Sequence, residues 1–414
     1  MLSVLALTSE PPWPLDSGGC IRTFHLMHAL AAAFDLRLVC PMTPNQQPAV
    51  KELATRGIRV VPANVGPRTP FGELRRLGRA RLSGEPYVLY RRHARPEVVR
   101  TFTDELTRLR PSVVYLDHLD SFQYAEPAKR LGIPVVLDLH NVYSTLTRRT
   151  AEEQRSFPKR WFLRGEAERL AVIERRAVNE VDLVFAVSET EAEHFRSIGG
   201  QRVQVVPNGV DCGVLASLPT GRMMQQPVML YVGTMSWQPN AEAARFLATQ
   251  VLPRVQAVHP AASLLVVGKG PGPELLRLQE RPGVEVVGAV PSVVPHLGRA
   301  SVLAVPLEAG GGTRLKILEA FAAGLPVVST AIGAEGITAE PGRHFAQATR
   351  DEFADAVLEL SANPTQATQL AEAARRLARE NYDWSAIGAG AVAGIQRLLN
   401  PQKLPDEQGG VNNR

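Results

Sequence analysis

PLEAGGGTRLKILEAFAAGLPVVST, residues 306–330, joins a glycine loop, a helix start with two cations, a carboxylate one turn further on and a second apolar strand. Gly310, Gly311 and Gly312 let a ligand approach the backbone, and Thr313 is a suitable N-cap for the helix that follows. Arg314 and Lys316 add positive charge beside the unpaired N–H groups of that helix start, while Lys316 and Glu319, three residues apart, share a helix face. Such an array suits a nucleoside diphosphate: cations and amides for the phosphates, and a carboxylate for two vicinal ribose hydroxyls. The plain alternative is a glycine turn before a surface helix with a Lys-Glu pair. Gly324, Pro326, Val327 and Val328 stop the helix and begin a strand, and the apolar run 301–306 precedes the loop. The glycines therefore stand at the carboxyl end of a strand, where open α/β sheets bind ligands.

Working outward, short Val-, Leu- and Ile-rich runs alternate with helical stretches throughout, the pattern of parallel sheets covered by helices on both faces. Strands are expected at 2–8, 35–40, 58–61, 113–117, 134–138, 181–187 and 203–206. A second series falls at 228–232, 263–267, 284–287, 302–305 and 326–329. The stretch 207–227 holds PNGVD and scattered Gly and Pro without sustained periodicity, which places a boundary there. Two α/β domains of doubly wound type are expected, residues 1–206 and 207–383. Beyond residue 352 the pattern is helical to about 399, and the polar tail 401–414 is expected to be disordered.

With 414 residues, two cores are the default. A formal charge of +5, with acids interspersed, argues against a general nucleic-acid binder. No long apolar segment is suited to span a bilayer, and residues 2–8 read as a first strand rather than a signal peptide. Cys20, Cys40 and Cys212 form neither a zinc pattern nor a disulfide framework, which fits a reducing cytoplasm, and Cys20 reads as a small buried residue.

Further candidates sit at other strand ends. SEPPWPLDSGG leads into a helix opened by Gly18 and Gly19, a second phosphate-compatible start, with Asp16 beside it as an acceptor-side candidate. His25 and His28 have helical spacing but no third ligand and read as packing. LDHLDS offers Asp117, His118 and Asp120; His118 has a usable pKa for proton transfer or orientation, and Asp117 is the alternative. DLHNVYS places Asp138, His140 and Asn141 at the same edge, either lining an acceptor side or capping a helix. Gly233 in YVGTM and Gly268 in VVGKGP border the expected nucleotide position. No Asp-x-Asp pair occurs, so no metal is expected and charge neutralisation falls to Arg314, Lys316 and the helix starts. Two basic stretches with interleaved aromatics, 68–95 and 159–176, suit either an anionic membrane surface or ordinary packing with solvated outer faces.

Together PPWPLDSGG, LDLHNV, VFAVSETE, VVPNGVD, YVGTM, VVGKGP and GGGTRLKILEAFAAGLPVVST resemble glycosyltransferase family 4, retaining nucleotide-sugar transferases of the GT-B fold, over most of the chain. The resemblance implies two Rossmann-like domains facing across a cleft, a nucleotide-sugar donor held mainly by the second, and a final helix, here 384–399, that packs back on the first. It also implies retention of anomeric configuration, a carbohydrate or lipid-linked acceptor, no metal cofactor, and a leaving diphosphate that helps take the acceptor proton, with His118 or Asp117 orienting the acceptor or sugar. Glu319 matches the ribose-binding glutamate of the family signature. Gly311 stands where the first glutamate belongs, so Glu308, or the amides of Gly311, Gly312 and Thr313, would serve the sugar or phosphate. An arginine and a lysine common after the Gly233 position are also absent, and Arg314 and Lys316 are expected to replace them. Epimerisation of a nucleotide sugar and non-catalytic binding are the rival functions.

Overall fold

The computed structural model describes residues 2–15, 17–152, 154, 156–220, 226–309 and 314–400. It divides into two compact units, Met1–Pro207 with Ile387–Arg414, and Asn208–Ala386.

The first unit is built on a parallel sheet of seven strands: β1 (Ser3–Leu7), β2 (Asp35–Met42), β3 (Arg59–Asn64), β4 (Val113–Asp117), β5 (Val135–Leu139), β6 (Leu183–Ala186) and β7 (Val203–Val205), in the order β3-β2-β1-β4-β5-β6-β7. Its centre explains the sequence pattern. β4 and β5 are buried at every position, as strands covered on both faces must be, and each nevertheless carries an aspartate near its carboxyl end. In register, Asp117 lies opposite Asp138. β3 continues past the expected end at 61 to Asn64, including Pro62, which an edge strand tolerates.

The second unit has six parallel strands: β8 (Val228–Val232), β9 (Ser263–Val267), β10 (Val284–Gly288), β11 (Val302–Val305), β12 (Val327–Ser329) and β13 (Ala346–Gln347), in the order β10-β9-β8-β11-β12-β13. β13 has only two residues, too few for a periodic signal, and sequence reading misses it.

Both strand orders reverse direction once, between β1 and β4 and between β8 and β11. Switch points of this kind are where open α/β sheets commonly bind ligands, at the carboxyl ends of the strands. The loops after β1 and β4 carry Gly18, Gly19 and His118; those after β8 and β11 carry Gly233, Glu308 and Arg314.

The Trp384–Leu399 helix enters the first unit at Ile387. There Gly388 lies so close to Ala29 that an added Cβ would stand 2.5 Å from the alanine methyl. Gln204 donates to the Gly390 carbonyl at 2.9 Å and accepts from Arg397 at 3.1 Å, fixing the helix against the end of β7. The expected tail, 401–414, lies outside the described residues.

Candidate functional site

In the second unit, the glycine loop follows β11, and Gly311, Gly312 and Thr313 lie outside the described residues. The described helix runs Leu315–Ala322 with Arg314 at its N-cap position, and the expected cap, Thr313, lies outside the described residues. Arg314 is buried and donates to the Ile332 carbonyl at 3.2 Å, which anchors the helix start to the turn after β12.

One turn inside the helix, half-buried Lys316 turns toward the end of β8. Its Nζ donates to Asn240 Oδ1 at 3.2 Å and the Tyr231 hydroxyl at 3.4 Å, and lies 4.4 Å from the centroid of the Tyr231 ring. Burial, then the Arg314 charge, pull the ammonium down to about 7, against the pull of Glu319. Burial likewise lifts Glu319 to about 7 despite Lys316.

Gly233 and Gly268 border this cluster. An added Cβ on Gly233 would meet the Asn240 amide at 2.7 Å, and one on Gly268, whose φ is +146°, would stand 1.7 Å from the Gly233 carbonyl oxygen. Only glycine allows these two strand ends to pack. Glu308 is tied to Arg350 at 2.9 Å, an arginine that also pairs with Glu242 at 3.2 Å.

In the first unit, Ser17 caps the Gly18–Ala33 helix by accepting from the Cys20 amide at 3.2 Å. Asp16 lies outside the described residues. Gly19 faces the two histidines, its hypothetical Cβ 3.6 Å from His118 Nε2 and 4.0 Å from His140 Nδ1. The rings themselves lie tilted by 39° with centroids 3.6 Å apart. Fully buried Asp117 bridges them, Oδ2 to His118 Nδ1 at 2.8 Å and Oδ1 to His140 Nε2 at 3.0 Å, while the Thr8 and Thr23 hydroxyls donate to Oδ2, each at 2.9 Å. Burial alone would raise the Asp117 carboxyl, but the two histidines hold it well below the usual carboxylate range. Burial would lower His118, yet Asp117 outweighs it and raises the imidazole to about 9. His118 also adopts φ +67°, a left-handed backbone uncommon outside glycine and often found where function demands it. Asn141 is half-buried in the loop after β5.

Asp138 forms the second layer. Arg22 holds it bidentately, with Nε to Oδ2 at 3.0 Å and an NH2 to Oδ1 at 2.6 Å, and the Tyr115 hydroxyl donates to it at 2.8 Å. The other Arg22 terminal nitrogen donates to the Val206 and Pro207 carbonyls at 2.7 and 3.0 Å, where the chain leaves this unit. Burial would raise Asp138, but Arg22 and His140 bring it to about 2. Sequence reading missed Arg22, Tyr115, Tyr231 and Asn240. The one available signal was polar Arg22-Thr23 within the buried stripe Cys20, Phe24, Met27 and Leu30.

Asp117, His118 and His140 offer ligand atoms that all lie within 4.8 Å of one another. Each Asp117 oxygen already lies in a hydrogen bond with one of these imidazoles.

Known proteins resolve the family. Residues 226–363 match the model for glycosyl transferases group 1, and residues 17–209 match that for a glycosyl transferase 4-like domain. The chain belongs to the family 4-like glycosyltransferases. This glycosyltransferase is 26% identical over 411 residues to a glycogen synthase of Mycobacterium tuberculosis, covering 93% of this chain and 92% of that protein. It is also 26% identical over 231 residues to a phosphatidyl-myo-inositol mannosyltransferase of Propionibacterium freudenreichii, covering 53% and 57% of the two chains. Among solved structures, HepE of Anabaena in complex with UDP and glucose superposes with a TM-score of 0.67 at 15% identity, covering 96% of this chain and all (100%) of that one. Sucrose-phosphate synthase of Thermosynechococcus elongatus gives 0.68 at 19% identity, covering 97% and 100%. The glycosyltransferase therefore has the two-domain, Rossmann-like GT-B fold. Among the described residues, no helix is long and apolar enough to cross a membrane.

Proposed function

We propose that this glycosyltransferase moves a sugar from a nucleoside diphosphate to a hydroxyl of a carbohydrate or lipid-linked acceptor, with retention of anomeric configuration and without a metal, in cytoplasmic synthesis of a cell-surface polysaccharide or glycolipid. The observation that carries the reading is the pair Arg314 and Lys316 at the β8/β11 switch point, two cations at the start of one helix beside Glu319. Fixed positive charge there stabilises a departing diphosphate. Retention fits the state of His118: raised to about 9, it holds its proton at neutral pH and is a poor base, which leaves the departing diphosphate to take the acceptor proton. His118 and His140 then orient hydroxyls. The UDP in HepE, and the polysaccharide and phosphoinositide named for the two relatives, support the donor and acceptor classes.

The test is a panel of nucleotide sugars and acceptors assayed in chelator, with the product anomer read from its NMR coupling. Transfer with the donor's configuration is expected. An inverted product, dependence on added metal, an epimer formed without acceptor, or binding without turnover would each refute part or all of the reading.

Peripheral association with an anionic membrane face forms part of the proposal. On the Pro70–Ser83 helix, Phe71 (78% exposed), Leu74 and Leu82 (90%) point outward among the exposed Arg75, Arg79 and Arg81. On the Phe157–Glu180 helix, Phe157 and Trp161 (62%) do so beside Lys159 and Arg164. Apolar side chains among cations suit a headgroup boundary. The protein is expected to float with anionic vesicles and not with zwitterionic ones, and the Phe71→Asp, Leu82→Asp double variant to stay in solution. Equal flotation with both lipids, or none, would remove the membrane from the account.

A further inference from the structure

We infer that Asn240 is a positioning residue of the donor site: its side-chain oxygen, shared with the Tyr231 hydroxyl, sets where the Lys316 cation stands to meet a nucleoside diphosphate. The inference rests on the reading of Lys316 as a phosphate-binding group. Asn240 is buried at the start of the Gln238–Phe246 helix. Its Nδ2 donates to the Thr234 carbonyl at 3.0 Å, which fixes the amide orientation and turns Oδ1 toward Lys316. That oxygen then accepts from the Tyr231 hydroxyl at 2.7 Å and from Lys316 Nζ at 3.2 Å. Gly233 completes the seat, since a side chain there would collide with the amide at 2.7 Å. Strand, turn and two helices thus converge on one ammonium.

The chemistry of the seat matters as much as its place. Asn240 and Tyr231 are neutral, so they orient the ammonium without cancelling its charge, and at least one of its three hydrogens remains for an incoming oxygen. A carboxylate in the same position would quench it. The charged groups acting on Lys316 are Arg314, which lowers it, and Glu319, which raises it; Arg314 and Arg350 act on Tyr231. With burial they leave Lys316 near 7, where a bound phosphate draws the proton on.

UDP, GDP and ADP are titrated by calorimetry into the wild-type chain and the Asn240→Asp variant between pH 6 and pH 9.5. The near-isosteric Asn240→Asp is expected to weaken binding of the preferred nucleotide at least about tenfold at its plateau, as an internal carboxylate competes with the phosphate. It also moves the alkaline limb of affinity upward by about one pH unit or more, because the new charge holds the Lys316 proton. A merely structural asparagine would not move that limb. Asn240→Ser serves if the aspartate variant does not fold, and is expected to weaken binding several-fold with the limb unshifted. Wild-type binding to none of the three nucleotides overturns the phosphate reading, and this inference with it. Tight wild-type binding, with a folded variant matching it in both affinity and pH profile, overturns the inference alone.

Discussion

Lys316→Ala weakens nucleoside diphosphate binding by about 10- to 150-fold, the expected cost of one lost charge-assisted hydrogen bond of about 1.5–3 kcal/mol. The side chain is held by Asn240 and Tyr231 at the end of β8, yet grows from the helix that follows β11, so it stands at the β8/β11 switch point. Among the described residues its Nζ donates to a neutral amide and a phenol, so no ion pair between them is broken. The folded state is therefore expected to survive. Thermal denaturation shows this, and the shift in melting temperature on adding nucleotide gives a second measure of affinity. Affinity within twofold of wild type would take Lys316 out of the site. Arg314 is the harder probe, since it is buried and anchored to the Ile332 carbonyl, so its loss would weaken both fold and ligand.

Asp117→Asn lowers kcat by about 100-fold, with little change in donor affinity, since misplacing a reacting hydroxyl by about 1 Å costs on the order of 10²-fold. The carboxylate serves two imidazoles and two hydroxyls at once. With a neutral amide His118 loses its counter-charge and, no longer held at about 9, titrates lower. The sign of the linked stability follows. A histidine raised from 6.5 to about 9 contributes stability that is complete below 6.5 and disappears as pH rises through 9. Asp117, held low, contributes above its ordinary 3.8 and loses that contribution as pH falls. The wild-type chain thus loses stability from about pH 6.5 to 9, and the variant loses less over that window. Imidazole resonances followed by NMR, with urea denaturation at pH 6 and 9, test both. Unchanged His118 titration or unchanged kcat would contradict the assigned role.

The strands and the loops between them were legible because buried parallel strands impose apolar runs that nothing else in the chain resembles. β4 and β5 show why: every position is buried, so every position constrains composition. The end residues Asp117, His118, Asp138 and His140 stood out as polar groups terminating such runs, and the structure brings them into one network. Their partners did not stand out. Arg22 lies 116 positions from Asp138, and Lys316 76 positions from Asn240, so only the completed sheets bring these pairs together. Arg314, at the N-cap position of the described helix, is likewise held from elsewhere in the chain, by the Ile332 carbonyl in the turn after β12. The partner of Glu308 was equally invisible locally: Arg350, from a distant part of the chain, pairs with it at 2.9 Å.

A crystal structure of the chain with its preferred nucleoside diphosphate tests the central claim most directly. Phosphate oxygens are expected within hydrogen-bonding distance, about 3 Å, of Lys316 Nζ, with the ribose hydroxyls on Glu319. A diphosphate bound elsewhere, with Lys316 still donating only to Asn240 and Tyr231, would contradict it.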